Sequence, residues 1–575
     1  MRRLTALVII FAFVVAACSG GSVEQLPEGE GNPSGRAAGV LRMSGSDPST
    51  IDPIYCGDTG CAQIVAEIFD GLMVPIMSRF VTPEDNARFC RTDLGDEEIC
   101  LVPNIAAGWP EKVVNADGTV TYTFTLRDDV FWHFGQDENG DPRRVTAQDF
   151  KYSWERAGKP RNASSTFELY LSDIVGATPY NRGQARTISG IEVVDDFTLA
   201  VTIDADKPYW LWNMAYTTSF VVDEVQVEAS PNWTDNPNGT GPFKLAEHIP
   251  GNRMVLTANE SYHLGAPYLD RVEINLAGGS TVTKYETGEL DVAGIGLADL
   301  NRVRNPSDPL NADLVEGRNE IGTSFIGFNT IDPVLQNVEL RQALAMAIDK
   351  ELLVETTLEN AVVVASTFTP PGMPDYVPPT EAGLTYDPDT ARQLLRDAGY
   401  TVEQGANGAW TSNVPELEIA VSGQGADAAS WLQAVVEMWR QELGVIVAID
   451  MRGDFLAFQE DLKFGRFQLI TSGWVADYPD PQDFIDLKLT CNRDVRNNET
   501  RYCNEAVDAL VIAARTEQDV AKRMALYREA ETLMLQDVPI IPMFHGKNMV
   551  LRKSYVEDFF PQPMIMPHLR FVQVR

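Results

Sequence analysis

From Ser324 to Phe484 strand patterns and helix patterns take turns, and this alternation restricts the fold more than any other feature of the chain. Ser324–Thr330 (SFIGFNT) is an apolar run of strand length. Glu339–Leu353 (ELRQALAMAIDKELL) places Leu340, Leu344, Ala347 and Ile348 on one helical face. Asp387-Pro388 opens the next helix, with the aspartate as N-cap and the proline where its missing N–H costs nothing. Ala391, Leu394, Leu395 and Ala398 follow at helical spacing, and Gly399 closes the helix. Glu416–Val421 reads as a strand, Trp431–Leu443 as a helix and Val445–Met451 as a strand. Elements in this order build a sheet covered by helices, an α/β layer.

The alternation leads into Gln468–Phe484 (QLITSGWVADYPDPQDF). Leu469, Ile470 and Thr471 are strand formers. Gly473 removes a side chain where another backbone can come close. Trp474 offers a flat apolar face and one N–H donor. Asp477 stands between Ala476 and Tyr478, and Pro479 and Pro481 cannot donate to a ladder, so the strand ends there. A strand edge, a tryptophan, a lone carboxylate and a rigid exit suit an extended ligand with a positively charged end. The same residues also suit a strand end with a capping aspartate and a core tryptophan.

At 575 residues the chain exceeds a single core, and several domains are expected. Acidic residues outnumber basic ones 82 to 46, a net charge of −36, which excludes a nucleic-acid surface. Residues 1–17 carry a basic start (Arg2, Arg3), an apolar Leu7–Val15 and small residues before Cys18, the form of a signal peptide. Residues 18–39 are rich in Gly, Ser, Pro and Glu and read as a flexible tether. Beyond Cys18, six cysteines remain. In an exported chain they are expected as disulfides, and proximity pairs Cys56 with Cys61, Cys90 with Cys100 and Cys491 with Cys503. Zinc is the alternative, disfavoured by the lack of a CxxC, and no metal is expected.

Other segments read as scaffold. Ala62–Val74 is helical in spacing and closed by Gly71. Thr146 caps a helix with Asp149 at its third position. Ile191–Ile203 is a hairpin turning at Asp195-Asp196, and residues 518–536 form an amphipathic helix. Trp132 and His133 are assigned to the scaffold. The Gly239–Pro242 stretch (GTGP) lacks the spacing and lysine of a phosphate loop and reads as a tight turn. GxSxG, HExxH and a supported Ser-x-x-Lys are absent, and five histidines are scattered through the chain, so catalysis is not expected. Paired carboxylates cannot be judged from sequence, which keeps a secreted glycosidase as the enzyme alternative.

Several blocks occur together in one order: IDP…EIFDGL, VTYTFTL with RVTAQDFKYSWER, GTGPF with NESYHLGAPYLDRVEI, GFNT…VELRQALAMAIDK, GWVADYPDP and VPIIPMF. Together they resemble family 5 of the bacterial extracytoplasmic solute-binding proteins, the dipeptide- and oligopeptide-binding proteins that deliver ligand to ABC transporters. The resemblance covers roughly residues 40–550. It implies a periplasmic-binding-protein-like α/β fold with two ligand-binding lobes, a hinge and a third, smaller domain. Lobe I is expected from 40–75, 225–317 and 546–575, the extra domain from 76–224 and lobe II from 318–545. By resemblance Asp477 binds the free amino group of a peptide. Gly473, Trp474, Val475 and Ala476 pair with its backbone beside Tyr478, and the loop carrying Asp58 and Thr59 faces the ligand. Cys18, at the end of a VxAC sequence, resembles the lipidated residue of a lipobox. The implied protein is a monomer without cofactor, lipid-anchored at the outer face of the plasma membrane or in the periplasm. Family members also bind oligosaccharides and nickel or haem complexes, which are the alternative ligands.

Overall fold

In the computed structural model the described residues are 39–81, 98–422, 426–453, 455–491 and 497–575. Cys18, the leader, most of the tether and Cys90 lie outside them.

Two sheets and the two connections between them position the site. The first sheet has seven strands in the spatial order 243–249, 253–258, 271–275, 40–44, 292–294, 549–552 and 314–316. The second has six, ordered 362–364, 540–546, 322–328, 469–475, 417–422 and 447–452. The chain passes from the first sheet to the second through residues 317–321 and returns through 547–548. These crossings lie side by side: Gly317 N–H donates to Asn548 O at 2.9 Å and Glu320 N–H to Gly546 O at 3.0 Å. A separate four-stranded antiparallel sheet, ordered 111–114, 120–125, 198–203 and 191–195, carries its own core around Trp154 and Trp210.

The second sheet is covered by the helices that the sequence pattern predicts. Pro388–Asp397 is capped by Asp387, whose carboxylate accepts Thr390 N–H at 3.0 Å. The helix expected from Trp431 begins earlier and spans Ala426–Leu443; its Trp439 is fully buried and donates to Leu344 O at 2.8 Å. The helix expected over Glu339–Leu353 is broken into Val338–Met346 and Lys350–Thr356. Asp349 is the reason: its side chain caps the second piece, accepting Leu352 N–H at 2.9 Å. An aspartate that bonds the backbone locally starts a helix better than it continues one.

The first helix, Thr59–Ile68, ends before Gly71, which does not cap it. Its last carbonyl, Ile68 O, is capped by the GTGP turn, accepting Thr240 N–H at 3.1 Å and Gly241 N–H at 2.8 Å. Gly71 is bare for a different reason: a Cβ there would stand 2.4 Å from Met214 O. Trp132 and His133 are buried scaffold, the latter bonded through Nε2 to Gly241 O at 2.9 Å.

Candidate functional site

The strand Leu469–Val475 pairs along its whole length with 322–328 on one side. On its other side the strand 417–422 reaches only Leu469 and Ile470. From Thr471 to Val475 the second edge therefore has no strand partner among the described residues. Backbone N–H and C=O groups left along such an edge are a template for another extended chain. Gly473 lies on this stretch and is exposed. A Cβ there would meet nothing closer than Thr323 O at 3.5 Å, so the fold does not require a glycine, and the freed space belongs to the cleft.

The edge borders a cavity of about 350 Å³ that continues into a second of about 640 Å³. Gly473, Trp474, Val475 and Asp477 line the first, together with Asp58 and Thr59 from the opposite wall. Asp58 is fixed as the N-cap of Thr59–Ile68, accepting Cys61 N–H at 2.9 Å and the Ser49 hydroxyl. The Cys56–Cys61 disulfide is buried beneath this turn. Cys491–Cys503 also forms, and Cys100 is disulfide-bonded.

Two residues expected at the site do not reach it. Ala476 is fully buried, and its N–H is spent on Ile321 O at 2.7 Å. Tyr478 is fully buried in the core, where its hydroxyl donates to Gln482 Oε1. The strand ends at Val475 and the chain turns inward, so these residues pack instead of facing ligand.

Asp477 is 8% exposed. One of its oxygens accepts the Tyr170 hydroxyl, which stacks on Tyr216 with ring centroids 4.0 Å apart. Its N–H donates to Asp483 Oδ2 at 2.9 Å, which also receives Trp474 Nε1–H at 3.3 Å. The Lys488 ammonium lies 4.5 Å over the Trp474 ring and pairs with Glu499 at 3.2 Å. Burial pushes the Asp477 carboxyl up to about 7, opposed by the Tyr170 hydrogen bond and the Lys488 charge. Asp483 is also raised well above the usual carboxylate range, by burial and by the Asp477 charge beside it. The result is a preorganised carboxylate in a low-dielectric cleft, short of a full counter-charge, at the end of an open strand edge. That arrangement suits an ammonium on an extended chain. Tyr170 is the site residue that sequence reasoning misses; it comes from 307 positions away.

Residues 101–495 match the family model described as bacterial extracellular solute-binding proteins, family 5. The chain belongs to family 5 of the bacterial extracellular solute-binding proteins. Within it, the chain is 28% identical to the oligopeptide-binding protein OppA of Bacillus subtilis, over 98% of this chain and 96% of that protein. The murein tripeptide binding protein MppA of Escherichia coli has the same fold, with a TM-score of 0.78 at 25% identity, covering 93% of this chain and 98% of that one. The unliganded open form of MppA, also 25% identical and covering 94% and 99%, superposes less well, with a TM-score of 0.63.

Proposed function

We propose that the protein captures a peptide between two lobes, one built on each large sheet, and delivers it to an ABC transporter. One observation carries this reading: a strand edge, Thr471–Val475, that has no strand partner among the described residues runs into a buried carboxylate at Asp477 inside the cleft. Every peptide offers the same backbone pattern to such an edge, so capture does not depend on strict side-chain choice. Asp477 holds the peptide's amino group. Gly473, Trp474 and Val475 border its backbone, with Asp58 and Thr59 on the facing wall. Relatives named for oligopeptides and for a murein tripeptide support the assignment. The crossings 317–321 and 547–548 act as the hinge. Native mass spectrometry of the freshly purified protein tests the reading: a ladder of peptides is expected, and a sugar, haem or nickel complex in their place overturns it.

The working protein is a monomer held at the outer face of the membrane by lipid on Cys18. Cys18→Ser is expected to leave the precursor unprocessed or free the protein from the membrane fraction. Unchanged mobility and membrane retention of the variant refute the anchor.

A further inference from the structure

The Glu320 side chain has no part in the reading above. The residue sits on the crossing 317–321, next to Ile321, whose carbonyl accepts Ala476 N–H at 2.7 Å. Its backbone thus lies across from Asp477. Its side chain lines the cleft and also a cavity of about 240 Å³ beside it. The carboxylate has no hydrogen bond or ion pair among the described residues, and burial alone raises its pKa. It rests on two bare backbones: a Cβ on Gly546 would stand 2.7 Å from Glu320 Oε2, and one on Gly322 would stand 3.1 Å away.

The side cavity combines apolar walls with unmet acceptors. Met43, Ile274, Phe559, Phe560 and Met564 supply the walls. Glu67, only 2% exposed, also lines it. Glu67 Oε1 accepts His568 N–H at 2.9 Å and Leu569 N–H at 3.0 Å, while Oε2 is buried with no partner. Gln562 Oε1 and His568 Nε2, on the same lining, are likewise buried without partners. Burial lowers the His568 pKa to about 4, so the ring is neutral, and its other nitrogen is engaged by the Met566 backbone. Nε2 is left as an acceptor. A carboxylate oxygen, an amide oxygen and an imidazole nitrogen all ask for donors, and a second carboxylate stands where the cavity meets the cleft. An aliphatic stem ending in a guanidinium or ammonium supplies both the apolar contact and the donors.

We infer that this cavity takes an arginine or lysine side chain from one of the first two residues of the bound peptide, with Glu320 and Glu67 as its counter-charges. The inference rests on the peptide reading, and the test separates the two. Tripeptides carrying arginine, lysine or norleucine at the first or second position are titrated into the full-length protein by calorimetry. The basic peptides are expected to bind about tenfold tighter than the norleucine peptide at one of the positions. In Glu320→Gln that preference is expected to fall below about threefold. Glu320 has no partner to lose among the described residues, so the variant is expected to fold; Glu67→Gln provides the second variant, expected to lower the preference in the same way. Equal affinity for basic and norleucine peptides in the wild type overturns this inference and leaves the peptide reading standing. So does a preference that survives in both variants. Binding of no peptide at all overturns both.

Discussion

Asp477 accepts an ammonium well only when ionised, and its surroundings set when that happens. Burial raises its pKa to about 7, while the Tyr170 hydroxyl and the Lys488 ammonium pull it down. Asp483 and the Lys488–Glu499 pair complete the charges around it. Below about pH 7 the carboxyl carries a proton that the ligand must displace, so affinity for a peptide with a free amino group rises as pH climbs from 5.5 to 7.5. Above about pH 8 the peptide's own amine starts to lose its proton and the gain ends. Calorimetry at pH 5.5 and 7.5, repeated in buffers of different ionisation enthalpy, is expected to show a proton released on binding at the lower pH. A profile that is flat for free and acetylated peptides alike contradicts this. Tyr170→Phe removes a donor that favours the ionised form. The rise is then expected at higher pH, with weaker binding at pH 7; an unshifted profile means that Tyr170 does not tune the carboxylate.

On the proposed reading the strand Leu469–Val475 is a scaffold on one edge and a binding surface on the other. Gly473→Val tests this directly. The Cβ has room within the fold, so the thermal midpoint is expected to stay put, with any change within about 0.5 kcal/mol. The added bulk occupies the exposed side of the strand, and peptide affinity is expected to fall by about tenfold or more. A stable variant with wild-type affinity removes the strand edge from the site. Much of this element was legible in the sequence, because its signals are local: strand formers, a glycine, a carboxylate and two prolines within a few residues. The caps Asp387 and Thr146 with Asp149 were legible for the same reason, as was the hairpin at Asp195-Asp196, whose strands are Ile191–Asp195 and Thr198–Ile203. Contacts made across the chain were not legible. Tyr170 meets Asp477 over 307 positions, and Gly71 is bare because of Met214 O. Ala476 and Tyr478 were misplaced because residue type does not reveal where a strand stops and its chain turns into the core. The break at Asp349 was missed because helical spacing continued through a residue that caps.

Across the whole molecule, acidity is buried as well as displayed. Burial lifts Glu67, Asp477 and Glu531 to about 7 and Asp70 to about 6, on a chain of net charge −36. A carboxyl raised by folding binds its proton more tightly in the folded chain than in the unfolded one. Its stabilising contribution is present at low pH and is lost as pH climbs from the unfolded value, near 4, through about 7. Burial lowers the pKa values of His133, His263 and His568, which act in the opposite sense over the same range. Glu531→Gln isolates one carboxyl: by scanning calorimetry at fixed ionic strength and without added peptide, the wild type is expected to lose more midpoint, or gain less, between pH 6 and pH 8 than the variant, and an equal change in both contradicts the raised value. In the proposed complex a peptide ammonium at Asp477 offsets part of that loss. The most direct measurement is calorimetry on four combinations: wild type and Asp477→Asn, each with one peptide whose amino terminus is free or acetylated. Acetylation is expected to cost the wild type about thirtyfold or more in affinity and to cost the variant much less, a coupling visible only in the full cycle. If free and acetylated peptides bind the wild type equally well, Asp477 does not hold the amino group.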